Sequence, residues 1–187
     1  QIRAQADRLL GSSLHDVDGN VEERKGTTSV FSGPPPEIRR CPDAAKEVEF
    51  VSGWLTARTN GDAIQPHEIG VFVRSAAQMD RAIDAVALAG LKSKVLDKNV
   101  EIAGGTVSIA TMHLAKGLEF RAVAVMACDD EVIPLQERIE NASDDSELEE
   151  IYTTERHLLY VACTRAREHL LISGAEPVSE FVDDLRE

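Results

Sequence analysis

Aromatic residues are scarce in this sequence of 187 residues, where Phe, Trp and Tyr together make up 4%. Hydrophobic residues still reach 43%, so the core has to be built from Val, Leu, Ile and Ala. The length fits one domain with a substantial core. No apolar run approaches the roughly 20 residues of a membrane-spanning helix, and the N-terminus lacks the pattern of a signal peptide. We therefore expect a globular domain without a membrane partner.

Cysteine is also rare, with residues at positions 41, 128 and 163. An odd number at wide spacing excludes a disulfide framework and does not match the spacing of metal ligands. Cys128 and Cys163 lie in apolar sequence and are predicted to be buried thiols. A cytoplasmic location is the expectation that follows, and no metal site is predicted.

Basic residues are almost missing from one segment. Between Asp129 and Glu155 there are eleven acidic residues and one base, Arg138. This segment therefore carries −10 of the net charge of −13. We call residues 129–155 the acidic segment. The overall charge describes this segment and does not exclude nucleic-acid binding by another face.

An initiator Met and an N-terminal helix cap are absent too, and QIRAQADRLL has the pattern of an amphipathic helix already in progress. We expect one domain over residues 1–187 that is a fragment of a larger protein. Residues 12–29 and 129–146 are predicted loops. Strands are predicted at 27–31, 37–41, 69–73, 94–96, from Val107, at 122–128 and at 169–173. Helices are predicted at 1–10 (ending at Gly11), 43–59, 76–89, 146–167 (capped by Ser146) and 177–186.

Strands and helices alternate in this pattern, and the strands are apolar without strict alternation. Both features predict an α/β fold with a mostly parallel sheet and helices on both faces. Such sheets bind ligands at the carboxyl ends of their strands. We expect the stretch after Val107, and Arg74 after the strand at 69–73, to occupy that kind of position.

The stretch from Val107 to Phe120, VSIATMHLAKGLEF, begins as an apolar strand and ends in polar groups. Hydroxyl, imidazole and ammonium groups at a strand end suit an anionic ligand such as phosphate, and Gly117 permits a positive φ. A second cluster, TRAR, places Arg165 at a helix C-terminus, where it can bind phosphate or simply cap the helix. A lone His in such a stretch can equally be a surface group.

Two longer patterns decide between these interpretations. TMHLAKGLEF, followed some forty residues later by ERHLLYVACTRAREHL, resembles motifs V and VI of the UvrD/Rep-type helicases of superfamily I. The motifs come in the right order, each with the expected strand after it, and the resemblance covers roughly residues 69–172. The KGLEF form resembles the branch that moves 3′ to 5′ on DNA.

The resemblance implies a RecA-like three-layer domain, the one called 2A, and a motor in which ATP binds between two RecA-like domains while single-stranded DNA crosses both. On the nucleotide side, Arg165 matches the arginine finger that stabilises charge during phosphoryl transfer. Glu119 matches the residue beside the ribose of the nucleotide, and Gly117 shapes the turn next to it. Tyr160 is expected to pack and to position Arg165.

On the DNA side, Thr111 and His113 match positions on the DNA face. Lys116 is expected at the turn between the two ligands, and Arg74 resembles another arginine near the DNA path. The partners implied are single-stranded DNA and the N-terminal RecA-like domain of the same polypeptide.

The sequence lacks two parts that this family needs. It contains no GxxxxGK[ST] phosphate loop and no acidic strand for Mg²⁺. ATP with Mg²⁺ would be held mainly by the N-terminal domain upstream of Gln1, so the fragment alone is expected to be inactive. Residues 97–106 are also too few for the 2B domain that many members insert there. Either the parent lacks that domain or the chain has been shortened.

The leading hypothesis is the C-terminal motor domain of an ATP-dependent DNA helicase or translocase. An alternative is a non-catalytic regulatory or nucleic-acid-binding module that kept the fold. A third hypothesis is a helicase fused to a nuclease. A phosphate loop upstream would favour the motor, and residues after Glu187 would decide on the nuclease.

Overall fold

The computed structural model describes residues 1–9, 34–99 and 101–185, together with the backbone of residues 14–15 and 21–22. Its α-helices are α1 Ile2–Ala6, α2 Ala44–Asn60, α3 Met79–Leu88, α4 Gln136–Glu140, α5 Asp145–Cys163 and α6 Glu180–Asp184. Its strands are β1 Leu14–His15, β2 Val21–Glu22, β3 Glu37–Cys41, β4 Ile69–Val73, β5 Ser93–Val95, β6 Val107–Thr111, β7 Phe120–Val125 and β8 Ala166–Ala175. Short 3-10 helices lie at Asp7–Leu9, Pro66–Glu68, Ala76–Gln78 and Met112–Leu114.

Six of these strands form one sheet in the order β3-β8-β7-β4-β6-β5. Every neighbouring pair in it is parallel, while β1 and β2 form a separate antiparallel pair. The predicted α/β fold with a parallel sheet is confirmed. Strand β4 lies between β6 and β7 although it precedes both in sequence, so the chain passes over β4 between residues 111 and 120.

Each face of the sheet carries its own apolar core, which gives the three layers. On one face α2 and α3 pack through residues such as Trp54, Leu55 and Val86. On the other face α1, α5 and α6 pack together with Met112, Ala115 and Leu118 of the segment that crosses β4. Helices on both faces explain why β4, IGVFV, is buried at all five positions. No helix in the described residues is long and apolar enough to cross a membrane.

Local sequence explains how the longest helix begins. The Asp144 carboxylate accepts a hydrogen bond from Glu147 N at 2.9 Å, and Asp145 and Glu147 place negative charge in the first turn. Both features stabilise a helix N-terminus. The predicted cap at Ser146 is therefore wrong by two residues. The helix also ends at Cys163, before the predicted end at residue 167, because β8 begins at Ala166.

Strands β3 and β4 are confirmed at their predicted bounds, and α2 is confirmed within one residue. Several other predicted bounds need correction. The predicted loop at 129–146 contains α4, the predicted loop at 12–29 contains β1 and β2, and β8 is longer than predicted. Strand β7 begins and ends earlier, and α6 is shorter because Ser179 caps it. The predicted strand at 27–31 and the helix stop at Gly11 lie outside the described residues.

All three cysteines are buried free thiols, as predicted for Cys128 and Cys163. Burial raises the pKa of Cys163 to about 12 and that of Cys128 well above its ordinary value. Both thiols therefore stay protonated and unreactive at neutral pH.

Gly174 in β8 allows a close approach of the backbone that follows β7. A Cβ at this position would lie 2.6 Å from the carbonyl oxygen of Cys128, and that oxygen belongs to backbone held by the bond from Ser179 N at 3.0 Å. We expect Gly174→Ala to lower the free energy of unfolding by about 2 kcal/mol, as overpacking does. Gly104→Ala is the matched control, because its Cβ would meet nothing within 4 Å. Equal urea midpoints for the two variants would contradict this expectation.

Candidate functional site

The carboxyl ends of β4 and β6 bring one group of predicted site residues together. Val73 and Thr111 are register partners at these ends, so Arg74 and the 3-10 helix that follows Thr111 are neighbours. Buried Met112 anchors this 3-10 helix, which leaves His113 exposed and Thr111 half-buried. We call this region the carboxyl edge.

Arg74 does not present its guanidinium to solvent. The side chain is 4% exposed, and its Nε and Nη2 donate to the two carboxylate oxygens of Glu155 at 2.5 and 2.6 Å. Glu155 is fully buried and also accepts from Arg138 Nη1 at 3.0 Å. Burial opposes ionisation of Glu155, but the bonds from these two arginines outweigh it and hold the pKa of the carboxyl below its usual range. Arg74 is thus a partner of Glu155, and its predicted contact with DNA stays a prediction.

His113 lies within electrostatic reach of this ion pair. Partial desolvation of the ring, followed by the nearby Arg74 guanidinium, lowers the pKa of His113 below its ordinary value. The imidazole is therefore neutral at pH 7 and can donate one hydrogen bond and accept another.

The amino ends of β7 and β8 bring the second group together. Gly117 has φ of +83°, which a residue with a Cβ adopts only at a cost, and it turns the chain towards β7. Buried Leu118 anchors the turn, while Lys116 and Glu119 are exposed. We call this region the amino edge.

Arg165 lies at the amino edge, between the end of α5 and the start of β8. Its Nη1 donates to the carbonyl oxygen of Leu118 at 3.3 Å and its Nε to that of Val161 at 3.0 Å. The backbone of Phe120 donates to the carbonyl oxygen of Arg165 at 3.0 Å. The GLEF and TRA sequences, separated by more than forty residues, are therefore in direct contact.

The two groups lie at opposite edges of the sheet. Phe120 is a register partner of Ala166 at the start of β7 and β8, whereas Val73 and Thr111 end their strands. Five residues of strand separate the edges by about 16 Å. The expectation that the whole stretch lies at carboxyl ends is wrong for Gly117 and Glu119, because residues 112–119 cross the face of the sheet between the two ends.

The chemistry of the amino edge suits a nucleotide more than a metal ion. An exposed carboxylate can accept from sugar hydroxyls, and a planar guanidinium fork can bind phosphate. No group of three or more His, Cys, Asp or Glu side chains in the described part of the chain could hold a metal ion.

Sequence reasoning missed one ion pair at the amino edge. Arg121, two residues after Glu119, donates to Glu168 through Nε at 2.8 Å and Nη2 at 2.9 Å, and contacts Glu68 at 3.4 Å. Hydrogen bonding to Glu168 raises the pKa of Arg121, and the same pair lowers the pKa of Glu168. The partners lie 47 and 53 residues away, so no local pattern could have indicated them.

A buried network on the α2–α3 face was also missed. Glu47 is fully buried, pairs with Arg81, and accepts from Ser173 Oγ at 2.6 Å and Ala127 N at 3.0 Å. Arg81 also donates to Asp129 at 2.5 Å. Burial raises the pKa of Glu47. Glu47 occupies the buried face of α2 because its partners lie across the sheet, in β8 and just after β7.

Comparison with known proteins identifies the family. The family model of the UvrD-like helicase C-terminal domain matches residues 75–177, which is more than half of the chain. The chain belongs to this family. The match includes His113, Glu119 and Arg165.

Curated relatives extend the similarity over nearly the whole chain. The ATP-dependent DNA helicase UvrD1 of Mycobacterium tuberculosis is 28% identical over 180 residues, which cover 94% of this chain and 21% of that protein. The putative ATP-dependent DNA helicase YjcD of Bacillus subtilis is 46% identical over 69 residues, or 36% of the chain and 9% of that protein. The chain thus spans about a fifth of the length of the UvrD1 relatives.

A solved structure supports the fold. The C-terminal domain of a possible DNA helicase from Lactobacillus plantarum WCFS1 superposes with a TM-score of 0.61 at 21% identity, covering 97% of this chain and 90% of that one. At this identity the similarity establishes the RecA-like α/β fold.

Proposed function

We propose that this chain is the C-terminal motor domain of an ATP-dependent DNA helicase or translocase of the 3′-to-5′ type. The observation that carries the proposal is the contact between GLEF and TRA at the amino edge, where Arg165 Nη1 donates to the carbonyl oxygen of Leu118 at 3.3 Å. Two motifs that resemble separate parts of the family's ATP site thereby meet at one place. We call the longer polypeptide that would also carry the phosphate loop the parent.

In this proposal the amino edge forms one half of the ATP site. Exposed Glu119 would accept from a ribose hydroxyl, and Gly117 would let the backbone approach the nucleotide closely. Arg165 would turn its guanidinium towards the γ-phosphate and stabilise the charge that develops there. The N-terminal RecA-like domain would hold Mg²⁺ and the remaining phosphates. Arg165 is half-buried and bonded to three oxygens of its own chain. Its two Nη atoms would exchange Leu118 O and Thr164 Oγ1 for phosphate oxygens, while Nε would keep its bond to Val161 O.

The carboxyl edge would bind single-stranded DNA. Exposed His113 and half-buried Thr111 offer neutral hydrogen-bonding groups that suit phosphate oxygens. Lys116 lies closer to the amino edge and adds a positive charge on the surface between the carboxyl edge and the amino edge. The acidic segment, which carries most of the net charge of −13, begins just after the carboxyl end of β7 and reaches this edge, where Glu155 pairs with Arg74. Its carboxylates would weaken DNA binding here, so the neutral and basic groups of the edge would have to supply the affinity.

His113→Ala in the parent is expected to weaken binding of single-stranded DNA about fivefold, the effect of losing one hydrogen bond of about 1 kcal/mol. ATP turnover without DNA should stay close to that of the wild type, because His113 lies at the edge opposite Arg165. Fluorescence anisotropy of a labelled oligonucleotide measures the affinity.

His67→Ala is the matched control, since His67 is exposed near the start of β4, at the other edge. Equal DNA affinity of the His113 and His67 variants would remove His113 from the DNA face. If the chain is instead a non-catalytic module, the parent would bind DNA without any ATP turnover.

A further inference from the structure

Glu155 lies in the middle of α5 and bonds to two other parts of the chain, the end of β4 and the segment around α4. Its carboxylate accepts from Arg74 at the end of β4 at 2.5 and 2.6 Å, from Arg138 in α4 at 3.0 Å, and from Leu135 N at 3.4 Å. The side chain is fully buried. A bidentate arginine–carboxylate pair fixes both distance and orientation, so the position of α5 relative to β4 is defined at this point.

Arg165 is rigidly attached to the same helix. Eight residues of continuous α-helix separate Glu155 from Cys163, the last residue of α5, which is about 12 Å. Beyond it Arg165 N donates to Ala162 O at 3.2 Å, and Arg165 Nε donates to Val161 O at 3.0 Å. A shift or rotation of α5 at Glu155 would therefore move the guanidinium of Arg165.

Stability alone is a weak reason for a buried charge at this position. Well-packed apolar residues in place of a buried ion pair are often as stabilising or more so. The neighbouring positions on α5, Ile151 and Leu159, are buried and apolar, so an apolar residue would continue that face. Glu155 adds a hydrogen-bonded ion pair of fixed orientation with Arg74, which adjoins Thr111 and His113 at the carboxyl edge.

We infer that Glu155 is a positioning residue for Arg165: through Arg74 it ties α5 to the carboxyl edge and so sets where Arg165 lies at the amino edge. The inference deepens the proposed function, on which its kinetic part rests. DNA at the carboxyl edge would meet His113 close to Glu155 in the middle of α5, and Arg165 would be carried just beyond the C-terminal end of the same helix.

The mechanical part can be tested on the 187-residue chain without ATP or DNA. We expect Glu155→Gln to shift the NMR signals of the Arg165 Nε–H and of the Phe120 amide, which donates to Arg165 O. Glu47→Gln is the matched control, because Glu47 is another fully buried helical carboxylate paired with an arginine, on the opposite face of the sheet. The control should leave both signals unchanged.

Glu155→Asp provides a second variant that keeps the charge and shortens the reach by one methylene, in case the Gln variant does not fold. It too should shift both signals. Unchanged signals in a folded Glu155 variant, or equal shifts in the Glu47 control, would overturn the inference.

The kinetic part is tested in the parent. Glu155→Gln should lower kcat at saturating DNA by about 10²-fold, as a misplacement of about 1 Å does, while KM for ATP stays the same and Glu47→Gln keeps the wild-type kcat. A kcat equal in the two variants would overturn the positioning role. If Arg165→Ala leaves turnover intact, the proposed function fails instead, and the NMR result on α5 stands by itself.

Discussion

Arg165→Ala in the parent is expected to reduce DNA-stimulated ATP turnover by about 10³-fold or more, the effect of an arginine finger. The reason is chemical: the planar fork would stabilise charge on the transferred phosphoryl group, and alanine offers no donor. Nucleotide binding should change little, because the phosphate loop of the other domain would provide most of it. Steady-state hydrolysis and binding of a fluorescent ATP analogue measure the two quantities separately.

Arg39→Ala serves as the control for the loss of an arginine. Arg39 lies in β3, the outermost strand on one side of the sheet, and its guanidinium packs over Phe50. This position is away from the amino ends of β7 and β8. Wild-type turnover is expected for this variant. Turnover of Arg165→Ala at the same level would remove the arginine-finger assignment and favour the non-catalytic module.

Arg74→Met is expected to lower the free energy of unfolding of the 187-residue chain by about 3 kcal/mol. The substitution removes the bidentate partner of Glu155 and leaves a fully buried carboxylate with Arg138, which is 38% exposed. Urea unfolding at pH 7 measures the loss. Lys46→Met is the control, because it breaks an exposed pair with Glu49, where each side chain is 57% exposed and the expected cost is under about 1 kcal/mol.

The pH dependence and a double variant separate this explanation from a simple packing defect. Glu155 has a lowered pKa in the folded wild type, so its stabilisation is lost as pH falls through that pKa. In Arg74→Met burial prevails and raises the pKa, so the variant gains stability relative to the wild type as pH falls. Arg74→Met with Glu155→Leu should be more stable at pH 7 than Arg74→Met alone. Additive losses at every pH would contradict the pairing.

The sequence predicts the elements of this fold better than their arrangement. Strand β4 was predicted at its observed bounds because five consecutive apolar residues between polar turns are a local signal. The order β7-β4-β6 depends on contacts between distant segments, and the shared parallel direction of β6 and β7 places Thr111 and Glu119 at opposite ends of the strands. The resemblance implied two ligands, but the rule that ligands bind at the carboxyl ends of strands had placed the whole stretch at one edge.

In the candidate site, too, local sequence patterns were predictable and long-range contacts were not. Resemblance to two motifs indicated Glu119 and Arg165, and the structure brings their segments into contact. Arg74 was predicted near the DNA path, and its ion pair could not be foreseen because its partner, Glu155, lies 81 residues later. Glu155 in turn appeared as one of many acids in the acidic segment, although it is fully buried. Long-range ion pairs of this kind leave no local pattern.

The central claim is that the amino edge binds ATP and the carboxyl edge binds single-stranded DNA. It is tested most directly by ATP turnover of the parent, measured as a function of single-stranded DNA concentration. For Arg165→Ala we predict a loss of maximal turnover with an unchanged half-saturating DNA concentration. For His113→Ala we predict a higher half-saturating concentration with maximal turnover retained. If both variants change the same parameter in the same way, the assignment of separate ATP and DNA edges is wrong.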